Sequence, residues 1–148
     1  MQSNFVDSTA ASGNVAIGRQ ALYQGLYASA SVAVGYEALY GVLHGTFQTA
    51  VGYQALKGAG TTGGGHSTSY RNTALGYRAG YDFGGNGSSD DNTFIGYRAG
   101  MDNGSGDYNT YVGSDAGTYS IGGNYQTYIG AGAGNYATGS YNTFVGKD

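Results

Sequence analysis

Polar and apolar positions alternate in a short phrase that recurs eight times along the chain. Each copy reads polar, β-branched, variable, aliphatic, glycine, as in NTFIG at 92–96 and NTYVG at 109–113. Alternation over so few residues predicts a short β-strand with two different faces, and no segment has a sustained helical period. The closing glycines lie 17, 17, 24, 20, 17, 17 and 16 residues apart: Gly18, Gly35, Gly52, Gly76, Gly96, Gly113, Gly130 and Gly146. Self-similarity near 17 residues predicts an all-β, parallel β-solenoid of about eight coils.

Within each coil we count positions from the motif glycine, which is position 0. Position −1 is always aliphatic and −3 is always Val or Thr, so these two share one strand face and −2 lies on the other. We predict that the aliphatic face is the interior, so that Val112→Asp abolishes folding by burying a charge. Position +3 is Ala in all seven coils that reach it, which indicates crowded packing. Position −4 is Asn, Gln or Ser, and stacking would bring these side chains into a polar ladder.

Position −2 changes character halfway along the chain. It is Ala in the first four coils and aromatic in the last four: Phe94, Tyr111, Tyr128 and Phe144. Opposite the aliphatic face, these rings would form an exposed apolar stripe of the kind that marks an interface. Each coil also offers only a thin core of its own against the entropy cost of ordering it. We therefore predict a homotrimer with the aromatic stripe at the subunit interface; the alternative is a monomer that folds the rings inside.

Position +4 changes in the opposite sense, from Leu in the first three coils to Gly in the next four. When +4 of one coil is matched with −2 of the next, a large residue meets a small one in all seven pairs, for example Gly100 with Tyr111. Close packing penalises both voids and overfilling, so this compensation predicts contact between the two positions.

Composition narrows the class of protein. The 148 residues include 30 Gly and 16 Tyr but no Cys, Pro or Trp, which suits one repeat domain over 1–148 without a thiolate metal site. The net charge of −3 argues against a nucleic-acid partner, and no apolar run is long enough to insert into a membrane. No catalytic grouping or cofactor motif stands out, so we predict a non-enzymatic protein without a cofactor. The acidic turns at 90–91 and 102–107 do not match a calcium loop, and we assign no metal site.

Two features are candidates for ligand binding. Tyrosines follow the motif glycine in four consecutive coils, and arginine accompanies the last two: Tyr36, Tyr53, Tyr77 with Arg78, and Tyr97 with Arg98. Such a column is either a platform on which sugar rings stack or a structural stack of rings. The enlarged coils place extra residues at 57–71 and 81–91, which are either binding loops or tolerated padding.

The repeated phrase, with Ala three residues after its glycine, resembles the head repeats of trimeric autotransporter adhesins and the related repeats of phage tail fibres. The resemblance covers residues 14–146. It implies a left-handed β-roll, assembled as a homotrimer, that presents a binding surface to another cell. Adhesin heads have shorter repeats with Ala at −2, whereas these coils are longer and carry aromatic residues at −2 in the second half of the chain. The resemblance to tail-fibre repeats is therefore at least as good.

We therefore expect a fibre or adhesin module for attachment to a host or cell surface, located extracellularly on a virion tail fibre or a bacterial surface. Its partners would be two further copies and a cell-surface glycan or protein receptor. Since neither end carries a clear cap, we expect a segment of a longer fibre. Two alternatives stay open: a structural shaft without a ligand, and an ice-binding solenoid that uses its Thr column at −3. A Thr column on the aliphatic face would be buried under the predicted arrangement, which weighs against ice binding.

Overall fold

The computed structural model describes residues 12–25, 27–58, 68–82, 89–120 and 122–148. Ten three-residue strands occur in these ranges, and no helix does. Eight of them form one parallel sheet in the order β1-β2-β4-β6-β7-β8-β9-β10, which makes a solenoid of about seven turns. These strands are β1 (Val15–Ile17), β2 (Val32–Val34), β4 (Thr49–Val51), β6 (Thr73–Leu75), β7 (Thr93–Ile95), β8 (Thr110–Val112), β9 (Thr127–Ile129) and β10 (Thr143–Val145). The predicted all-β parallel solenoid is confirmed.

Successive coils pair in strict register, position for position. Tyr111 of β8, for instance, lies beside Phe94 of β7 and Tyr128 of β9. A second, two-stranded parallel sheet joins β3 (His44–Thr46) to β5 (Thr68–Tyr70). After the motif glycine, the chain runs through turns in which positions +2, +4 and +6 adopt positive φ, as in Glu37, Leu39 and Gly41. Their backbone amides donate hydrogen bonds to neighbouring coils, so the turns stack as regularly as the strands.

The interior is the face that carries position −2, and this corrects the predicted orientation of the strands. Ala33, Ala50, Ala74, Phe94, Tyr111 and Tyr128 are all fully buried. The aliphatic position −1 points outward instead: Ile17 is 59% exposed, Leu75 49% and Ile129 42%. The predicted aromatic interface is therefore wrong for Phe94, Tyr111 and Tyr128, which pack against one another inside their own chain. Phe144 on the last strand stacks on Tyr128 and is 45% exposed.

The size of the cavity between strand and turn explains this orientation. The Ala column at +3 lies directly in the core, with Ala38, Ala55, Ala79, Ala99 and Ala116 completely buried. The predicted crowding at +3 is thus confirmed. Beside this Ala column, positions −2 and +4 share the remaining interior: −2 holds Ala or rings that stack along the solenoid axis, and Leu22, Leu39 and Leu56 at +4 are also buried. Val112 is only half-buried, so the prediction that Val112→Asp abolishes folding loses its basis.

Positions +4 and −2 do meet in the interior, but mainly within one coil. A Cβ placed on Gly100 would lie 2.5 Å from Cδ1 of Phe94 in its own coil, and Gly117 and Gly134 face Tyr111 and Tyr128 in the same way. The predicted contact with the next coil holds for Gly80, whose space is occupied by Phe94 and by Leu56 of the preceding coil. Positions +4 and −2 therefore do compensate each other in size. The main partner of +4 is the −2 residue of its own coil, not that of the next coil as predicted.

The predicted polar ladder at −4 is confirmed. The side-chain oxygen of each member accepts a hydrogen bond from the backbone amide of the next: Asn72 to Asn92, Asn92 to Asn109 and Asn109 to Gln126, each at 2.9 Å. The side-chain amides donate to backbone carbonyls of the next coil, as Asn72 does to Ser89 at 2.7 Å. These buried side chains are thus satisfied by backbone groups one coil away, which fixes the register of the stack.

Candidate functional site

The outer face of the eight-stranded sheet is a regular surface that runs along the described coils. It consists of the side chains at −3 and −1, which we call the outer columns. The −3 column holds Val15, Val32, Thr49, Thr73, Thr93, Thr110, Thr127 and Thr143, and the −1 column holds Ile17, Val34, Val51, Leu75, Ile95, Val112, Ile129 and Val145. No charged residue interrupts either column. Because eight rungs lie ~4.8 Å apart, the outer columns form an uncharged strip roughly 34 Å long, aliphatic throughout at −1 and mostly Thr at −3.

Sequence reasoning found these residues but placed them inside. Alternation along a strand separates two faces without saying which is buried. The signal that could have decided the matter was the small residue at +3 together with the compensation between +4 and −2, since only an interior column needs such matching.

The tyrosine column that follows the motif glycine is present as predicted. The column consists of Tyr36, Tyr53, Tyr77 and Tyr97. The centroids of successive rings are 5.1, 5.2 and 5.2 Å apart, and the angles between their planes are 12°, 8° and 10°. Stacking therefore covers the faces between successive rings, and guanidinium groups lie over the two end rings, Arg19 at Tyr36 and Arg98 at Tyr97. A sugar ring would need a free aromatic face, so the geometry favours the structural interpretation of this column.

The arginines beside the column are also engaged. Arg78 lies over the Tyr77 ring and donates from Nε to Oε1 of Gln54 at 2.8 Å. Arg98 lies over the Tyr97 ring, and its Nε is 2.7 Å from Oδ1 of Asp115, an ion pair without hydrogen-bond geometry. These contacts join neighbouring coils and further favour a structural role for Arg78 and Arg98.

A polar network at position +2 connects three coils. The Glu37 carboxylate accepts hydrogen bonds from Lys57 Nζ and from Gln54 Nε2. Burial pushes the pKa of Glu37 upward, but the hydrogen bonds from Lys57, Gln54 and Tyr36 outweigh it and the pKa lies below its ordinary value. The same carboxylate raises the pKa of Lys57 in spite of that residue's desolvation. The network favours the charged forms of both residues and thereby the native stack.

This network makes stability depend on pH. A lowered pKa means that the Glu37 contribution is complete above its unfolded pKa of about 4.5 and is lost as the pH falls through the folded value. We expect the melting temperature, followed by circular dichroism, to decline between pH 5 and pH 3. Glu37→Gln should melt below the wild type at pH 7 and show a smaller decline on acidification. Equal declines in both proteins would contradict a role for this carboxylate.

Among the described residues, no group of three or more His, Asp or Glu is arranged to hold a metal ion. The described part of the chain contains no helix that is long and apolar enough to cross a membrane.

Of the enlarged coils, residues 59–67 and 83–88 lie outside the described residues. The described flank of the second loop contributes Asp91, which forms a bidentate ion pair with Arg71 of the preceding coil at 2.7 and 2.8 Å.

Comparison with models of known protein families, with curated proteins and with solved structures finds no match to this chain.

Proposed function

We propose that this chain is a non-enzymatic module of an extracellular fibre, of the tail-fibre or adhesin type, that assembles as a homotrimer and serves attachment to a host or cell surface. The observation that carries the proposal is the strip of the outer columns, in which an unbroken aliphatic column, half-buried or exposed in the single chain, lies beside two Val and six Thr side chains. A contiguous uncharged surface with exposed aliphatic side chains generally marks an interface. The occupants we propose are two further copies of the chain.

Identical copies suit this strip better than an unrelated partner. Its period is the solenoid's own rung spacing, so two parallel copies match rung for rung along their full length. The strip carries no charge that a partner would have to neutralise. Three strips that face a common axis would cover one another completely, which replaces the aromatic stripe as the proposed interface.

Attachment is tested by measuring binding of the fluorescently labelled protein to panels of bacterial and animal cells in flow cytometry. Saturable binding that unlabelled protein competes away is the expected result. A correctly assembled oligomer that binds no cell type would favour the alternative of a structural shaft whose recognition function lies elsewhere.

One observation also favours ice binding as a second candidate. The Thr column lies on the outer face rather than in the core, so the reason for discounting it no longer holds. Thr and aliphatic side chains repeat every ~4.8 Å across strands and stand roughly 7 Å apart along each strand, which is a regular two-dimensional array. A monomer with thermal hysteresis, lost in Thr93→Tyr, would support this candidate; a trimer that hides the strip and shows no hysteresis would exclude it.

A further inference from the structure

Two further columns of side chains flank the outer columns, one at each end of the strand. Position −5, from Gly13 to Tyr141, lies two residues before −3, and position +1, from Arg19 to Lys147, lies two residues after −1. The residues at both positions are exposed or half-buried in all eight coils. We call these columns the −5 edge and the +1 edge. Since −3 and −1 separate them, the two edges lie on opposite sides of the outer columns of one chain.

Aromatic residues change from one edge to the other between coils 5 and 6, counting coils from the one that contains Gly18. The +1 edge carries the tyrosine column, which ends at Tyr97 in coil 5 and is followed by Ser114 in coil 6. The −5 edge carries a second stack, Tyr108, Tyr125 and Tyr141, which starts in coil 6 with centroids 5.0 and 5.1 Å apart. Stacking within one chain accounts for each column, but not for one column starting where the other ends.

The two edges of a coil are therefore complementary in size. In six coils one edge carries an aromatic ring and the other does not: Ala30 with Tyr36, Arg71 with Tyr77, Asp91 with Tyr97, Tyr108 with Ser114, Tyr125 with Ala131 and Tyr141 with Lys147. Coil 1 has no ring at either edge, and coil 3 has both Phe47 and Tyr53. Residues on opposite sides of one chain do not compete for space, so this compensation indicates that the edges meet between chains.

The symmetry of an assembly decides which edges meet. Rotation about the axis of a cyclic trimer brings the +1 edge of one chain to the −5 edge of its neighbour, at the same coil. An antiparallel pair in full overlap would instead bring like edges together, with coil 4 opposite coil 5 and coil 1 opposite coil 8. Tyr77 would then face Tyr97, and Arg19 would face Lys147, which opposes two large rings and two like charges. The pattern therefore favours parallel chains.

We propose that the three chains lie parallel and in register, with the +1 edge of each packed against the −5 edge of the next. The inference rests on the proposed trimer, to which it adds orientation, register and contact residues. Two of the contacts place a cation beside a ring of the neighbouring chain, Arg71 at Tyr77 and Lys147 at Tyr141. The Arg71 side chain is 51% exposed even though it is paired with Asp91, so it is accessible to such a ring.

The test links the two edges of coil 6 covalently. Tyr108→Cys/Ser114→Cys places one thiol on each edge at exposed positions, in a chain that has no cysteine of its own. We expect a short bismaleimide crosslinker to join three chains into a covalent trimer on a denaturing gel. Each single variant carries thiols on one edge only and should stay uncrosslinked. The matched control is Tyr53→Cys/Ser114→Cys, whose two thiols both lie on the +1 edge and would link chains only in an antiparallel assembly.

A second test exchanges the ring between the edges of coil 6. Ser114→Tyr sets a ring against Tyr108 of the neighbouring chain, and we expect it to weaken trimer assembly on the order of 10-fold, measured by light scattering across a dilution series. Tyr108→Ser/Ser114→Tyr restores one ring to the pair and should recover most of the loss. Equal dissociation of the single and the double variant would contradict contact between these edges.

The outcomes distinguish this inference from the proposed function. A trimer that Tyr108→Cys/Ser114→Cys cannot link, or crosslinking of Tyr53→Cys/Ser114→Cys, would overturn the edge pairing and leave the trimer standing. A monomeric wild type would remove both. A trimer that is linked as expected but attaches to no cell would keep the edge pairing and remove the attachment function. If the cysteine variant no longer assembles, the exchange of the ring decides.

Discussion

Gly100→Leu is expected to destabilise the fold severely, by roughly 3 kcal/mol or more. The glycine has φ of +65°, and a Cβ there would lie 2.5 Å from Cδ1 of Phe94. The left-handed conformation costs a non-glycine residue roughly 1–2 kcal/mol, and overpacking a filled interior adds about 1–3 kcal/mol. Urea unfolding monitored by circular dichroism would measure the loss.

A matched control separates the two contributions. Gly139→Leu introduces the same side chain at φ of +86°, where no atom lies within 4 Å of the new Cβ. It should therefore show only the backbone cost. Equal destabilisation by both substitutions would contradict the packing account.

The double variant Phe94→Ala/Gly100→Leu is expected to recover part of the loss. It recreates the combination of Ala50 with Leu56, which one coil already accommodates with Leu56 at φ of 51°. Residues in direct contact show coupling energies of about 0.5–3 kcal/mol, and here the sign should favour the double variant. Strict additivity would mean that the two positions do not compete for the same space.

Val112→Asp is expected to abolish the oligomer while leaving each chain folded. Val112 lies on the outer columns and is half-buried in the single chain, so water can solvate an aspartate there. In the proposed trimer, three such carboxylates would meet near the axis, desolvated and mutually repulsive. We expect a monomeric mass in light scattering together with an unchanged far-UV circular dichroism spectrum.

Two control substitutions separate an effect on folding from an effect on assembly. Tyr111→Asp changes the adjacent residue, which points into the core and is completely buried, and it should prevent folding altogether. Tyr136→Asp lies at position +6, is 68% exposed and shares a column with Asp82 and Asp102, so it should change neither fold nor mass. Unfolding of Val112→Asp would contradict its outward orientation, and an intact oligomer would contradict the interface.

The sequence was sufficient to predict the eight strands of the repeated phrase, their period and their stacking in register, but it did not predict β3 or β5 of the second sheet. Those features depend on local rules: alternation defines a strand, and glycine with φ near 130° at each motif end lets neighbouring corners approach, since a Cβ on Gly96 would overlap the carbonyl of Gly113. The polar ladder followed from the same register.

The choice of interior face could not be predicted from alternation alone, because it depends on what the turn brings against the strand. In the fold, Gly117 at +4 faces Tyr111, so the aromatic ring has its space inside the coil, while Val112 lies half-buried on the opposite face.

The mass of the wild-type chain in solution, measured by light scattering coupled to size exclusion, tests the central claim most directly. Burial of the outer columns between three copies predicts a mass three times the chain mass of 15.1 kDa. A monomer at every concentration would contradict the claim, since it would show that the outer columns are stable in water without a second copy.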